Sequence, residues 1–199
     1  MSVTALPPIV AAPVSPMRRR LLDTALRLTA EHGWPAVTMG RLASESRVSR
    51  QTVYNEIGTR PALAEAMVLD ELARFLGAVE RAFDDHPDDL VGGLRTAVRD
   101  VLTMAQGNTL LQAVASATHG AETELLPLLT THAGPLLDVA KQVVMSHVVD
   151  RDTGLDEQRL ATIVDVIVRY VLSHVMQDPL DPDATADGLA WLAEQVLRP

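Results

Sequence analysis

Between Thr38 and Arg60 the chain reads TMGRLASESRVSRQTVYNEIGTR, and this stretch restricts the fold more than any other. Met39, Leu42 and Ala43 fall at i, i+3 and i+4, one apolar face of a short helix. Thr38 stands just before that face, where its hydroxyl can accept a bond from an orphan backbone N–H. Ser49 is a second N-cap, and Val53 and Ile57, four apart, mark the inward side of a second helix. The other faces of that helix carry Arg50, Gln51, Thr52, Tyr54 and Asn55. Such groups match what DNA presents. Arg pairs with guanine O6/N7, Asn or Gln with adenine N6/N7, and Thr or Tyr with phosphates or base edges. A short helix, a turn of a few residues and a polar second helix is the helix-turn-helix arrangement. An ordinary solvated helical hairpin has the same composition.

The order of residues separates the two readings. A long first helix ends in His32-Gly33-Trp34; then come Ala36-Val37-Thr38-Met39, Leu42-Ala43, Val48-Ser49, Thr52-Val53-Tyr54 and Gly58-Thr59-Arg60, with Ala62-Leu63 behind. In these residue types and spacings the run from Arg18 to Met67 resembles the DNA-binding domain of the TetR family of transcriptional regulators. It departs from that family's usual pattern at Arg47, where Gly is common, at Glu56, where His or Tyr is common, and at Ile57, which replaces a Phe. Arg47 then implies a residue at positive φ in the turn, at a cost of roughly 1 kcal/mol. Arg50, Gln51, Thr52 and Asn55 are expected in the major groove, and Thr38, Tyr54 and Arg60 on phosphates, with Arg41 and Ser49 completing the DNA-binding set.

Charge supports a split molecule. The net charge of −9 argues against nucleic acid when taken whole. Residues 14–60, however, hold eight Arg against Asp23, Glu31, Glu45 and Glu56, and the remainder holds nine basic against 22 acidic residues. A basic segment on an acidic body fits a DNA reader whose body is held off the phosphates. Arg18, Arg19 and Arg20, at the start of the first helix, read as sequence-independent phosphate contacts. With no cysteine, disulfides and thiolate metal sites are excluded. His119, His132, His147 and His174 form no recognisable metal motif, although Glu122 follows His119 by three residues. Val101–Ala121 is uncharged and long enough to span a bilayer, yet Gln106, Asn108, Gln112 and His119 make it too polar for lipid. The first sixteen residues lack Lys and Arg, so no secretory signal is expected, and the protein is read as soluble and cytoplasmic, with no membrane partner.

Along the chain, residues 1–16 predict a disordered arm rich in proline, residues 17–60 the helix-turn-helix domain, and residues 61–199 an all-helical ligand-binding and dimerisation domain. The fold class is therefore all-α, with a three-helix head and a helical body. In the first helix Leu21, Leu22, Ala25, Leu28 and Thr29 make the buried stripe, and Gly33 ends it. Body helices are expected over Asp88–Gln106, Asn108–His119, Glu122–Val149 with breaks at Pro127, Gly134 and Pro135, Asp156–Met176 and Ala184–Leu197. The mixed apolar and polar segment Val101–Leu137 predicts a small-molecule pocket, with Thr103, Gln106, Asn108, Gln112 and His119 as its polar contacts. A plain core with polar helix ends accounts for the same residues. Only 3% of the chain is aromatic, which disfavours flat cationic ligands and favours a small apolar effector of acyl or alkyl type.

The family resemblance further implies a homodimer, a fourth helix that carries ligand binding to the head, and a four-helix bundle between the two copies. Leu160, Ile163, Val164, Ile167 and Val171, with Leu189, Leu192 and Val196, are the faces expected in that seam. The function expected is that of a ligand-responsive repressor on a near-palindromic double-stranded DNA operator. An activator, a regulator without an effector, a helical adaptor and a small-molecule enzyme are the alternatives. Against the enzyme stand the lack of G-x-S-x-G, of a phosphate-binding glycine loop and of a clustered acid/base set. No cofactor is expected.

Overall fold

The computed structural model describes residues 15–117, 133–151, 153–176 and 181–197. They form α1 (Pro16–His32), a 3-10 turn (Trp34–Ala36), α2 (Met39–Glu45), α3 (Arg50–Glu56), α4 (Arg60–Asp84), α5 (Leu90–Ala105), α6 (Thr109–Ala117), α7 (Ala133–Val148), α8 (Glu157–Met176) and α9 (Pro182–Leu197). The chain is all-α, and no strand occurs among the described residues. The expected arm, apart from Ser15 and Pro16, lies outside the described residues, as do His119 and residues 118–132 of the expected pocket and long helix.

Helix starts follow side-chain chemistry. Ser15, Thr38, Ser49 and Asp89 each accept a bond from a backbone N–H three residues on, at 2.8–3.1 Å. Asp156 does the same for α8, and Asn108 Oδ1 accepts from both Leu110 and Leu111 at the start of α6. Each such cap stabilises its helix by about 1 kcal/mol. The expected starts at Asp156 and Asn108 were these capping residues, one position outside the helix proper.

The described residues fall into two compact units, one of residues 15–72, 108–117 and 133, the other of residues 73–107 and those from 134 onward. The division lies inside α4, between Leu72 and Ala73.

The first unit is built on α1. Leu21, Leu22, Ala25, Leu28 and Thr29 are buried, as their spacing predicts, and so are Trp34, Val37, Met39, Leu42, Ala43, Val53, Ile57, Leu63 and Met67. Each fully buried Leu or Met contributes roughly 1.5–3 kcal/mol. α1 also packs on α6. Between α2 and α3, Val48 donates to Ala43 O at 3.0 Å and Arg47 to Ser44 O at 3.1 Å. This paired closure places Arg47 at the left-handed C′ position, and its φ is +52°, as the sequence implied.

In the second unit α9 lies along α5. Phe83, Leu94, Val98, Leu102, Leu189 and Ala193 form its main core, against which Ile167, Val171 and Val175 of α8 pack. A hydrogen alone fits at Gly93, where a Cβ would lie 2.8 Å from the Phe83 ring. A smaller cluster joins Val148 of α7 to Leu160 and Val164 of α8. Lys141 of α7 pairs with Asp138 and reaches Asp165 of α8, whose carboxyl is held below its usual range chiefly by its bond to Arg169 and then by Lys141.

The residues of the expected dimer seam divide between core and surface. Leu160, Val164 and Leu189 are buried within the unit, and Ile167 and Val171 pack on its core. The solvent face of α8 shows Val166, Tyr170 and Leu172, and α9 shows Trp191, which is 62% exposed, together with Leu192 and Val196 of the expected seam. The densest apolar stripe of each helix closes the chain's own core, and a sparser stripe remains outside.

Candidate nucleic-acid interface and apolar cavity

The exposed surface of α3 carries Arg50, Gln51, Tyr54 and Asn55, held from behind by Val53 and Ile57. Gln51 Nε2 donates to Asn55 Oδ1 at 2.9 Å, so the two amides share one face at i, i+4. Paired in this way, Asn55 keeps its two N–H donors and Gln51 its carbonyl acceptor for a partner. The hydroxyls of Ser49 and Thr52 lie 2.9 Å apart, and Ser49 Oγ also caps the helix. Arg50 lies back across α2: a Cβ on Gly40 would come within 3.1 Å of its Nη2 and 3.3 Å of its Cζ. Thr38 is exposed, but its oxygen accepts from Arg41 N, while the Arg41 side chain is half-buried.

The arginines divide by what their guanidinium groups touch. Arg60 donates from Nε to Val37 O at 2.8 Å and from Nη2 to Trp34 O at 2.9 Å, and it sits 4.6 Å from the centre of the Trp34 ring. This is an inward anchor, in place of the phosphate contact the sequence suggested. Arg18 donates to Glu56 O, Arg19 pairs with Asp70 on α4, and Arg20 donates to Ser46 O at 2.8 Å. The triplet read from sequence as phosphate contacts therefore ties α1 to α3, to α4 and to the turn. Arg27 bridges Glu31 and Glu45, which raises its pKa, the bond to Glu45 contributing most. Among the described residues no side-chain partner is found for Arg41, Arg47 or Arg50. Sequence reading singled out Arg47 for its backbone alone, although its side chain is exposed. The signal that finds it is the combination of positive φ and free charge.

His119, one of the expected polar contacts of the pocket, lies outside the described residues. Thr103 and Gln106 are exposed in the second unit. Gln112 is exposed in the first, and Asn108 donates to Glu71 Oε1 at 2.6 Å while capping α6. A cavity of about 50 Å³ occurs within the second unit, where α4 ends against α5, α7, α8 and α9. Phe83, Leu94, Val144, Ile163, Ile167 and Ala193 are among its walls, which carry no polar surface. None of Thr103, Gln106, Asn108 or Gln112 lines it. Among the described residues no group of His, Asp and Glu could hold a metal ion, and no helix is long and apolar enough to cross a membrane.

Residues 21–67 match the model for bacterial regulatory proteins of the tetR family, and residues 89–195 match the model for the bacterial tetracyclin repressor C-terminal domain. The chain belongs to the TetR family. TetR-family regulators bind DNA and act as dimers, so the chain is a DNA-binding transcriptional regulator and not an enzyme. It is 27% identical over 172 residues to the HTH-type transcriptional regulator AlkX of Mycobacterium tuberculosis (strain ATCC 25618 / H37Rv), covering 86% of this chain and 81% of that one. The crystal structure of the TetR family repressor AlkX from Dietzia sp. strain DQ12-45-1b, implicated in biodegradation of n-alkanes, superposes with a TM-score of 0.71 at 29% identity, over 89% of this chain and 96% of that one. The fatty acid degradation regulator FadR from Bacillus halodurans shares the TetR fold, with a TM-score of 0.58 at 18% identity over 92% of this chain and 96% of that one.

Proposed function

We propose that this TetR-family chain is a dimeric repressor that an apolar, alkyl-bearing effector releases from a near-palindromic operator. One observation carries the DNA side of the reading. The exposed face of α3 is a row of Arg, Gln, Tyr and Asn, backed by buried Val53 and Ile57, while Arg18, Arg19, Arg20 and Arg60 are taken up by acceptors within the head. Residues 17–60 act as the reading head and residues 61–199 as the effector and dimer body. Arg50, Gln51, Thr52 and Asn55 enter the major groove, and Thr38, Arg41, Ser49 and Tyr54 meet the backbone. Arg60 serves as the clamp that sets the head's shape.

The effector side rests on the cavity and on the kinship with a repressor implicated in n-alkane biodegradation. A dry cavity of roughly 150 Å³ lined by Leu, Ile and Phe takes up benzene. At about 50 Å³, with hydrocarbon walls, the cavity here fits the end of an alkyl chain better than a ring. The effector must bind one spacing of the two heads better than the other, since equal affinity shifts nothing. The operator demands recognition helices about 34–36 Å apart. Dimerisation uses the exposed stripes of α8 and α9, led by Val166, Tyr170 and Trp191.

The test is retention of genomic fragments by wild-type protein and by Gln51→Ala. A small set of fragments retained by the wild type, with specificity relaxed at one position of each half-site in Gln51→Ala at roughly 1–3 kcal/mol, supports the reading. Retention without sequence preference by both proteins overturns it.

A further inference from the structure

We infer that Arg47 is a DNA-phosphate contact mounted on the turn of the helix-turn-helix, a contact that rests on the DNA-reading role of α3. Arg47 occupies the C′ position of α2, closed by the bonds of Arg47 to Ser44 O and of Val48 to Ala43 O. Its φ of +52° makes it the one non-glycine residue at positive φ among the described residues. Glycine takes that conformation without a Cβ penalty, so an arginine there makes the folded state less favourable than the simplest alternative. The side chain returns nothing to the fold: it is exposed, and among the described residues it makes no hydrogen bond and no ion pair. Arg18, Arg19, Arg20, Arg27 and Arg60 by contrast all have protein acceptors.

Position supplies the partner. Arg47 precedes Arg50 by three residues, so their Cα atoms are no more than about 11 Å apart. The major groove that receives α3 is about 12 Å wide and walled by phosphates. A cation within that distance of a base-reading residue, on a flexible side chain, stands at the groove wall, where the available ligand is a phosphate oxygen and not a base edge. The chain as a whole is acidic, with a net charge of −9, so local cations at the head decide whether the duplex is attracted.

The test compares wild type, Arg47→Gly and Arg47→Lys for salt-dependent binding to the operator and to operators altered one base pair at a time, with melting temperatures measured in parallel. Arg47→Gly is expected to melt at or above the wild-type temperature. It should bind every sequence about three- to tenfold more weakly, and its slope of log K against log salt should be shallower by about 0.9 for each arginine removed. Arg47→Lys, which keeps the charge, should keep the wild-type slope. Unchanged affinity and slope in Arg47→Gly would overturn the assignment, as would a loss confined to a single base pair. A wild-type protein that forms no specific complex would overturn the reading of α3 as well.

Discussion

Replacing Arg60 by alanine separates a structural clamp from a DNA contact. The guanidinium makes two charged hydrogen bonds to backbone carbonyls, of Val37 and Trp34, and lies over the Trp34 ring. A hydrogen bond from a charged donor contributes about 1.5–3 kcal/mol. A partly exposed cation over an aromatic face adds about 0.5–1 kcal/mol. Arg60 is half-buried, so the lower ends of these ranges apply, and the loss comes to about 3.5 kcal/mol. That is a large share of a typical stability of roughly 5–15 kcal/mol. Arg60→Lys should recover only a minor part, because one ammonium cannot reproduce the planar fork that spans two carbonyls and stacks on the indole. Urea unfolding followed by tryptophan fluorescence reports on this site directly. Trp34 is buried beneath Arg60; Trp191, the other tryptophan, lies on the proposed dimer face, so the measurement is made in a Trp191→Phe background where Trp34 alone reports. The reasoning is refuted if Arg60→Ala unfolds at the wild-type urea midpoint while its operator complex shows a shallower salt slope.

Three further outcomes follow from the geometry. Gly40→Ala should gain about 0.5–1 kcal/mol from helix propensity yet displace the Arg50 guanidinium; binding to a panel of single-position operator variants should then change at one position, and an unchanged panel would count against the placement of Arg50. Tyr170→Asp should give folded monomers by light scattering, whereas Ile167→Asp, on a side chain packed against the core, should lower the melting temperature first; folded monomers from Ile167→Asp would restore the seam expected from sequence. Ala193→Leu should fill the cavity of about 50 Å³ and weaken alkyl-ligand binding with operator affinity nearly intact, which isothermal titration and fluorescence anisotropy can check.

What was legible in the sequence was whatever depends on spacing along one helix. The stripe Leu21, Leu22, Ala25, Leu28 and Thr29, the caps Thr38 and Ser49, and the left-handed Arg47 all follow from local rules and appear as expected. Where long side chains end was not legible. Nothing in the triplet Arg18-Arg19-Arg20 distinguishes an arginine that reaches a phosphate from one that reaches Glu56, Asp70 or Ser46, because the choice depends on which element folds alongside. The faces of α8 were legible only in part, for a related reason. A period of 3.6 reveals an apolar stripe around Ile167 but not whether α5 and α9 of the same chain or a second copy will cover it. The cavity was invisible, since its walls come from five helices and share no sequence pattern.

The claim that ligand and operator oppose one another is tested most directly by anisotropy of a labelled operator, held in its complex with the wild-type protein and titrated with an alkane and with a saturated alkanoate. The account predicts that a compound which binds the protein weakens operator affinity by about 5–150-fold, and that operator weakens binding of the compound by the same factor. A compound that binds tightly and leaves operator affinity unchanged would contradict it.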